Sequence, residues 1–154
     1  MSYTPAEVLP HAAPMILLDR IIAYDADQLE AELTVPAEGL FNDAEMGGAV
    51  PAWVGIEYLA QAVAAHDGCH CRDAGISPKI GFLLGSRNYE SNVTAFLPGV
   101  HLRVRVAEVL RGENGMAVFE GLITGEQDGQ AIRVTARING FQPDDPSVFL
   151  KEQA

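Results

Sequence analysis

The sequence is poor in positive charge and in long apolar runs. It has 10 Lys and Arg residues against 21 Asp and Glu residues, a formal net charge of −11. Because phosphate binding needs a basic surface, this imbalance argues against nucleic acid as a partner. No apolar run is as long as a membrane-spanning helix, and the first residues lack the pattern of a secretory signal. We therefore expect neither nucleic-acid binding nor membrane insertion.

Cysteine is also scarce, with only Cys69 and Cys71, which are too close in sequence to join distant elements. This usage indicates a reduced, cytoplasmic protein. His66 and His70 lie beside them, but His-x-x-Cys-His-Cys is not a common zinc pattern and no second cysteine pair follows. We interpret the four residues as a helix end with two ordinary thiols, and we predict no metal and no other cofactor.

The rest of the composition is that of one globular domain. Of the 154 residues, 48% are hydrophobic and 20% charged, which is normal for a folded chain. No repeat, low-complexity tract or Ser/Gly linker divides the sequence. We expect a single domain over residues 1–142 and a loose tail over residues 143–154.

One helix and several strands are predicted. The segment from Pro51 to about His70 is apolar almost all round, and at about 1.5 Å per residue it is too short to cross a bilayer. We expect Gly68 to end it. Alternation of apolar and polar residues, or short apolar runs between turn signals, predicts strands elsewhere. These segments are 15–24, 28–35, 79–84, 93–99, 100–107, 116–124 and 131–141.

A helix that is apolar on every face must be buried by its neighbours. The economical solution is an α+β roll in which an antiparallel sheet wraps around the helix. The exposed edge strands and small size of such a domain favour a dimer or higher oligomer.

Two polar side chains, Glu57 and Gln61, interrupt the apolar helix. They are four residues apart and share one face. A buried carboxylate is costly unless it is hydrogen-bonded, paired or neutralised. Glu57 is therefore either a general acid or base, or a carboxylate held by nearby loop N–H groups. We favour a functional site.

Four segments carry a family resemblance: LPHAAPMILLDR, PAWVGIEYLAQAVAA, GFLLGSRNY and FLPGVHLRVRV. In this order they resemble the (3R)-hydroxyacyl-acyl-carrier-protein dehydratases of fatty-acid biosynthesis, a hotdog-fold family. The resemblance covers most of the chain. It implies an α+β hotdog fold, with a long central helix wrapped by antiparallel sheet, that works as a dimer. It also implies a hydro-lyase reaction on a thioester-bound acyl chain, which needs no cofactor.

In that family a histidine removes the C2 proton of the thioester and a helical acid helps to expel the C3 hydroxyl as water. The two face each other across the dimer interface. Carried over, the acid falls on Glu57, with Gln61 as its orienter. The histidine position falls on Asp43, eight residues before Pro51. This is a departure from the family, since a carboxylate is a far weaker base than an imidazole.

The missing histidine leaves the proton acceptor open. His11, in the LPH motif, is a stand-in if the fold brings it close, and otherwise a substrate-binding residue. Gly47 and Gly48 would let backbone N–H groups approach the thioester carbonyl. Trp53 is a candidate lining residue of an acyl tunnel, or otherwise a core or interface residue.

The helical acid without a loop histidine resembles a dehydratase-like (ApeP-like) subgroup of aryl-polyene biosynthetic clusters. Some of its members are thought to work beside a second, histidine-bearing dehydratase subunit. The resemblance therefore suggests a mixed dimer in which this chain supplies Glu57. The substrate would be carried by acyl carrier protein or coenzyme A. Candidates for docking an acidic carrier are Lys79, Arg87, Arg103 and Arg105, unless they form only a solvated sheet face.

Two other functions stay open. Hotdog thioesterases often carry His-Gly-Gly before the helix, and here Met46 occupies the histidine position ahead of Gly47 and Gly48. Hydrolysis would then need a carboxylate or amide to position water, from among Asn42, Asp43, Glu45 and Glu57. The third function is that of a non-catalytic partner subunit.

Overall fold

The chain places one long helix against an antiparallel sheet. The computed structural model describes residues 2–11, 13–78, 82–112 and 115–141, with residues 82–84 described by their backbone alone. Short 3-10 turns span Ala44–Met46 and Ala52–Val54. The helices are α1 (Pro5–Val8) and α2 (Gly55–Asp73). The strands are β1 (Arg20–Tyr24), β2 (Gln28–Thr34), β3 (Val50–Pro51), β4 (Phe82–Ser91), β5 (Ala95–Phe96), β6 (His101–Arg111), β7 (Met116–Gln127) and β8 (Gln130–Phe141).

The longer strands form a six-stranded sheet in the order β1-β2-β6-β7-β8-β4, and β3 pairs with β5 in a separate ladder. Every pairing is antiparallel. On β6 the residues from His101 to Val106 alternate between exposed and buried, as the sequence predicts. The α+β class and the antiparallel meander are confirmed.

The core lies between α2 and the inner face of the sheet. Leu59, Ala62 and Ala65 of the helix are fully buried. Gly121 on β7 lets the sheet approach closely, because a Cβ atom there would lie 2.7 Å from the Leu59 side chain. Among the described residues, no helix has both the length and the apolar character needed to cross a membrane.

The helix differs from the prediction at both ends. Val50–Pro51 pairs with β5, so the α-helix begins only at Gly55. Gly68 does not end the helix, which continues to Asp73. A Cβ atom at Gly68 would overlap the carbonyl oxygen of Val8. Glycine is therefore required at this position for the close approach of α1.

Three predicted strands also change their bounds. Residues 15–18 are not in β1, which begins at Arg20. The segment predicted over 93–99 contains only the short strand β5. Strand β4 extends to Ser91, while its predicted beginning at residues 79–81 lies outside the described residues, as does the tail 143–154.

Candidate active site

One face of α2 borders an apolar cavity of about 200 Å³. Glu57, Gln61 and Ala64 lie on this face, since they follow the three- and four-residue spacing of a helix. The opposite wall comes from β7 and β8, with apolar side chains such as Phe119 and Ile138. Small alanines on the helix leave the space open. The cavity therefore joins one carboxyl group to a largely apolar volume.

Glu57 lies in the first turn of α2 and is half-buried. The residues before it are fixed by Tyr89, whose hydroxyl donates to the carbonyl oxygen of Ala52. Within the part of the chain that the structure describes, no hydrogen bond or ion pair engages the Glu57 carboxyl group. No described loop N–H group holds it, so the carboxyl group is available to a molecule in the cavity.

Gln61 shares the cavity face with Glu57 but has contacts of its own. It is buried, with 2% exposure. Its Oε1 accepts a hydrogen bond from the backbone N–H of Leu17 at 2.8 Å, and its Nε2 donates to the carbonyl oxygen of Met15 at 2.5 Å. Gln61 therefore anchors the segment before β1 to the helix. Because these two hydrogen bonds engage the backbone of Met15 and Leu17, residues 15–18 pack on α2 and do not extend β1.

His11 lines the same cavity as Glu57 and Gln61. The opening segment reaches α2 twice: Val8 packs on Gly68, and Met15 and Leu17 bond to Gln61. His11 lies between these two contacts. Its Nδ1 atom is buried and has no hydrogen-bond partner among the described residues.

The loop residues Asp43, Gly47 and Gly48 form a separate turn. The Asp43 carboxylate caps it by accepting the N–H of Glu45 at 2.8 Å. The backbone of Asp43 also bonds to Ala49 and Gly48, each at 2.9 Å. Gly47 and Gly48 have φ values of +69° and +86°, in the left-handed region that favours glycine. None of these three residues lines the cavity.

Trp53 lies on the surface beside this loop, with 56% exposure. Its ring packs edge-on against Phe41, with centroids 6.0 Å apart. Leu40 and Met46 are exposed as well, at 57% and 38%. We call Leu40, Phe41, Met46 and Trp53 the loop patch.

The structure therefore divides the predicted site residues into two groups. Glu57, Gln61 and His11 meet at one cavity, while Asp43, Gly47, Gly48 and Trp53 lie in the loop or beside it. Two further charged residues, Asp67 and Arg111, also line the cavity. Asp67 continues the face of Glu57 along the helix, whereas the position of Arg111 at the end of β6 gave no signal in the sequence.

The four His and Cys residues lie at the far end of α2. The Nε2 atoms of His66 and His70 are 3.2 and 2.9 Å from the carbonyl oxygen of Asp25. Cys69 is fully buried, and this burial raises the pKa of its thiol to about 12. These residues pack at the C-terminal end of α2, and none of them lines the cavity.

The three described docking candidates, Arg87, Arg103 and Arg105, lie on the outer face of the sheet. Arg103 and Arg105 share that face, as predicted, and approach the Glu30 carboxylate at 3.2 and 3.6 Å. Arg87 stands opposite Arg137 in the β4–β8 register. Lys79 is outside the described residues.

The comparisons with known proteins agree with this fold. The fold is the hotdog fold: the structure resembles S. sahachiroi AziG (13% identity, 80% of this chain and 90% of that chain, TM-score 0.59). It also resembles a hypothetical thioesterase with coenzyme A from Streptococcus pneumoniae TIGR4 (16% identity, 80% and 84% coverage, TM-score 0.57). At these identities the likeness shows the fold alone.

A more specific likeness defines the family. The model of the ApeP-like family, described as ApeP dehydratase, matches residues 3–151. The chain is also similar to a chain of the dehydratase heterocomplex ApeI:P from Xenorhabdus doucetiae, with 29% identity, full coverage of both chains and a TM-score of 0.85. No curated protein matches the chain. The chain belongs to the ApeP-like dehydratase family.

Proposed function

We propose that this chain is a dehydratase subunit that removes water from a (3R)-3-hydroxyacyl thioester. The observation that carries the proposal is the half-buried Glu57 carboxyl group, which borders an apolar cavity and has no described partner. An apolar cavity suits an acyl chain, and a carboxyl group beside it suits proton transfer to a leaving hydroxyl. Membership in a dehydratase family supports the same reaction.

In this mechanism the protonated Glu57 carboxyl group donates its proton to the C3 hydroxyl, which leaves as water. Gln61 holds the opening segment against the helix beside Glu57. Asp43 caps its own turn outside the cavity, so it does not act on a substrate held beside Glu57 of the same chain. The acceptor of the C2 proton is then a histidine of a partner subunit or a residue of the cavity.

We further propose that the chain works in the cytosol, in a complex with a second dehydratase subunit, on a substrate carried by acyl carrier protein. The similar heterocomplex ApeI:P supports the assembly. The exposed loop patch offers apolar surface for such a partner. Thioester hydrolysis has less support, because the thioesterase relatives share only the fold and Gly47 and Gly48 lie outside the cavity.

Glu57→Gln tests this function. We expect the purified chain, together with its second dehydratase subunit, to remove one water from a 3-hydroxyacyl carrier protein, as followed by intact mass spectrometry. The substitution should lower the rate by about 10²–10⁴-fold, the usual contribution of a general acid or base. Glu38→Gln, at an exposed position that does not line the cavity, is the matched control and should retain the full rate.

The same spectra separate the alternatives. Release of free carrier protein would identify a thioesterase and contradict dehydration. An unchanged substrate, with and without the second subunit, would assign the chain to a non-catalytic role. Equal rates for the unaltered protein and Glu57→Gln would remove Glu57 from the mechanism.

A further inference from the structure

Among the described residues, His11 is the histidine that has no hydrogen-bond partner. The sequence has 4 histidines. His66 and His70 lie within hydrogen-bond distance of the Asp25 carbonyl oxygen, and His101 contacts the Glu32 carboxylate at 2.9 Å. The His11 ring makes no hydrogen bond within the described ranges, although its Nδ1 atom is buried. The Nδ1 atom of His66 is likewise buried without a partner, but that ring is held through its Nε2 atom. No described hydrogen bond holds the His11 ring through either nitrogen, so no such contact accounts for its place at the cavity.

The fold fixes where the His11 ring lies. Val8 is fully buried and packs on Gly68, and Gln61 binds the backbone on both sides of Ile16. These contacts are made by α2, so they hold the segment along the helix face that carries Glu57. The ring therefore borders the cavity through the path of its backbone and needs no hydrogen bond of its own.

The cavity supplies the environment that a proton acceptor needs. Its walls are mostly apolar, with Phe119, Ile138 and Ala117 across from the helix. Besides His11 and Glu57, its charged lining residues are Asp67 and Arg111. The Arg111 guanidinium is already paired with Glu108, with Nε and Oε1 2.6 Å apart. An imidazole is the side chain best suited to accept a proton near neutral pH.

We propose that His11 accepts the C2 proton of the substrate, so that the acid and the base of the dehydration both come from this chain. The proposal rests on the dehydratase function proposed for the Glu57 cavity. It gives the chain a complete acid–base pair without a loop histidine. The second subunit then contributes to assembly or to substrate delivery, and its own histidine is not required at the Glu57 cavity.

The step balances within these two side chains. The C2–H bond breaks, its proton moves to the neutral imidazole of His11, and its electron pair forms the C2=C3 double bond. The C3–O bond breaks, and the departing oxygen takes the proton of the Glu57 carboxyl group and leaves as water. His11 ends protonated and Glu57 ends ionised, and exchange with solvent restores both.

His11→Asn and His11→Gln in the complex with the second dehydratase subunit test the proposal, with Glu57→Gln measured alongside. We expect each His11 variant to lower kcat by about 10²–10⁴-fold. A His11→Ala variant should regain activity when imidazole is added, because the small side chain leaves room for the free base. His101→Gln, on the outer face of the sheet, is the matched control and should keep its rate.

The pH profile supplies a second readout that loss of structure alone would not produce. The rise of kcat with pH that reports a histidine base should be absent from the His11 variants while their thermal unfolding midpoint is unchanged. Full turnover by the His11 variants in a complex that Glu57→Gln inactivates would overturn the His11 assignment and leave the dehydratase function standing. An inactive unaltered complex would overturn both.

Discussion

Gly68 shows how a single small residue positions the candidate site. The carbonyl group of Val8 occupies the space where a side chain would begin, so α1 lies directly on the backbone of α2. Because His11 follows three residues after Val8, this contact also sets the place of the proposed proton acceptor. A position that looks like a helix terminator in the sequence is instead a packing contact.

Gly68→Ala should destabilise the protein. Alanine is favoured over glycine inside a helix by about 1 kcal/mol, but a Cβ atom here would overlap the Val8 carbonyl group, and overpacking costs about 1–3 kcal/mol. Because the Cβ atom would lie well inside the contact distance of the Val8 oxygen, the cost should be near the upper end of that range, and we expect a net loss of about 2 kcal/mol in the free energy of unfolding, measured with urea. Gly85→Ala is the control, since a Cβ atom added there would meet no atom of a non-adjacent residue within 4 Å. A Gly68→Ala protein as stable as the unaltered one would show that α1 moves away freely.

Among single residues, polar side chains within an apolar helix predict the site from the sequence. Glu57 and Gln61 stand out in an apolar helix, and both line the cavity. The sequence did not show that Gln61 binds the backbone of Met15 and Leu17, because side-chain partners far apart in sequence leave no local pattern. The position of His11 depends on the same long-range contacts. The sequence alone therefore offers it as a substitute for the missing histidine only on the condition that the fold brings it close.

Among the elements, the far end of α2 contains a histidine, His66, whose pKa is shifted by its surroundings. His66 is buried, and its Nε2 atom lies 3.2 Å from that of His70. Burial, and next the charge of His70, hold the pKa of His66 below its usual range. The hydrogen bond to the Asp25 carbonyl oxygen and the negative charge of Glu108 oppose this shift in pKa without reversing it.

Stability should therefore fall as the solution is acidified. The folded protein favours the neutral form of His66. The stabilisation from this residue is therefore fully present above its pKa in the unfolded chain, about 6.5. That stabilisation is lost as the pH falls from the pKa of the unfolded chain toward the lower pKa of His66 in the folded protein. Urea unfolding at pH 7.5 and at pH 5.5 measures the loss in the free energy of unfolding. His66→Gln should reduce this loss, whereas His101→Gln should not. An equal loss of stability between the two pH values in the unaltered protein and both variants would contradict the assignment to His66.

The strands were more predictable than the segments between them. Alternation locates β2 and β6, because one face of each meets the core, and the turn signals before β7 and β8 locate those two strands. The same reasoning extended β1 back to Met15, where an apolar run is anchored to α2 by Gln61 and forms no ladder. Local pattern cannot distinguish an apolar segment that packs on a helix from one that pairs in a sheet.

Over the whole molecule, the arginines are gathered on one side while the net charge is −11. Most of those in the described ranges stand on the outer face of the sheet, where Glu30, Glu32 and Glu120 neutralise several of them. Exposed pairs of this kind contribute little stability each. The arrangement leaves the helix side and the loops as the more acidic part of the surface.

Assembly should be visible through Trp53. It is the one tryptophan of the sequence, and it is 56% exposed in the loop patch. If the second dehydratase subunit covers this patch, burial of the indole will shift its emission to shorter wavelength. The measurement uses a second subunit whose own tryptophans are replaced by phenylalanine, and Trp53→Phe supplies the blank. A stable complex with unshifted emission would place the interface elsewhere.

The two anchors on α2 have a consequence for how the family can diversify. The opening segment is held at Val8, and again at Met15 and Leu17, by a glycine and a glutamine of the helix that contact main-chain atoms. Side chains between the anchors are therefore not needed to hold that segment. Apart from His11, which is proposed to act on the substrate, they can be exchanged, and the wall of the cavity reshaped, while the two anchors keep the scaffold in place.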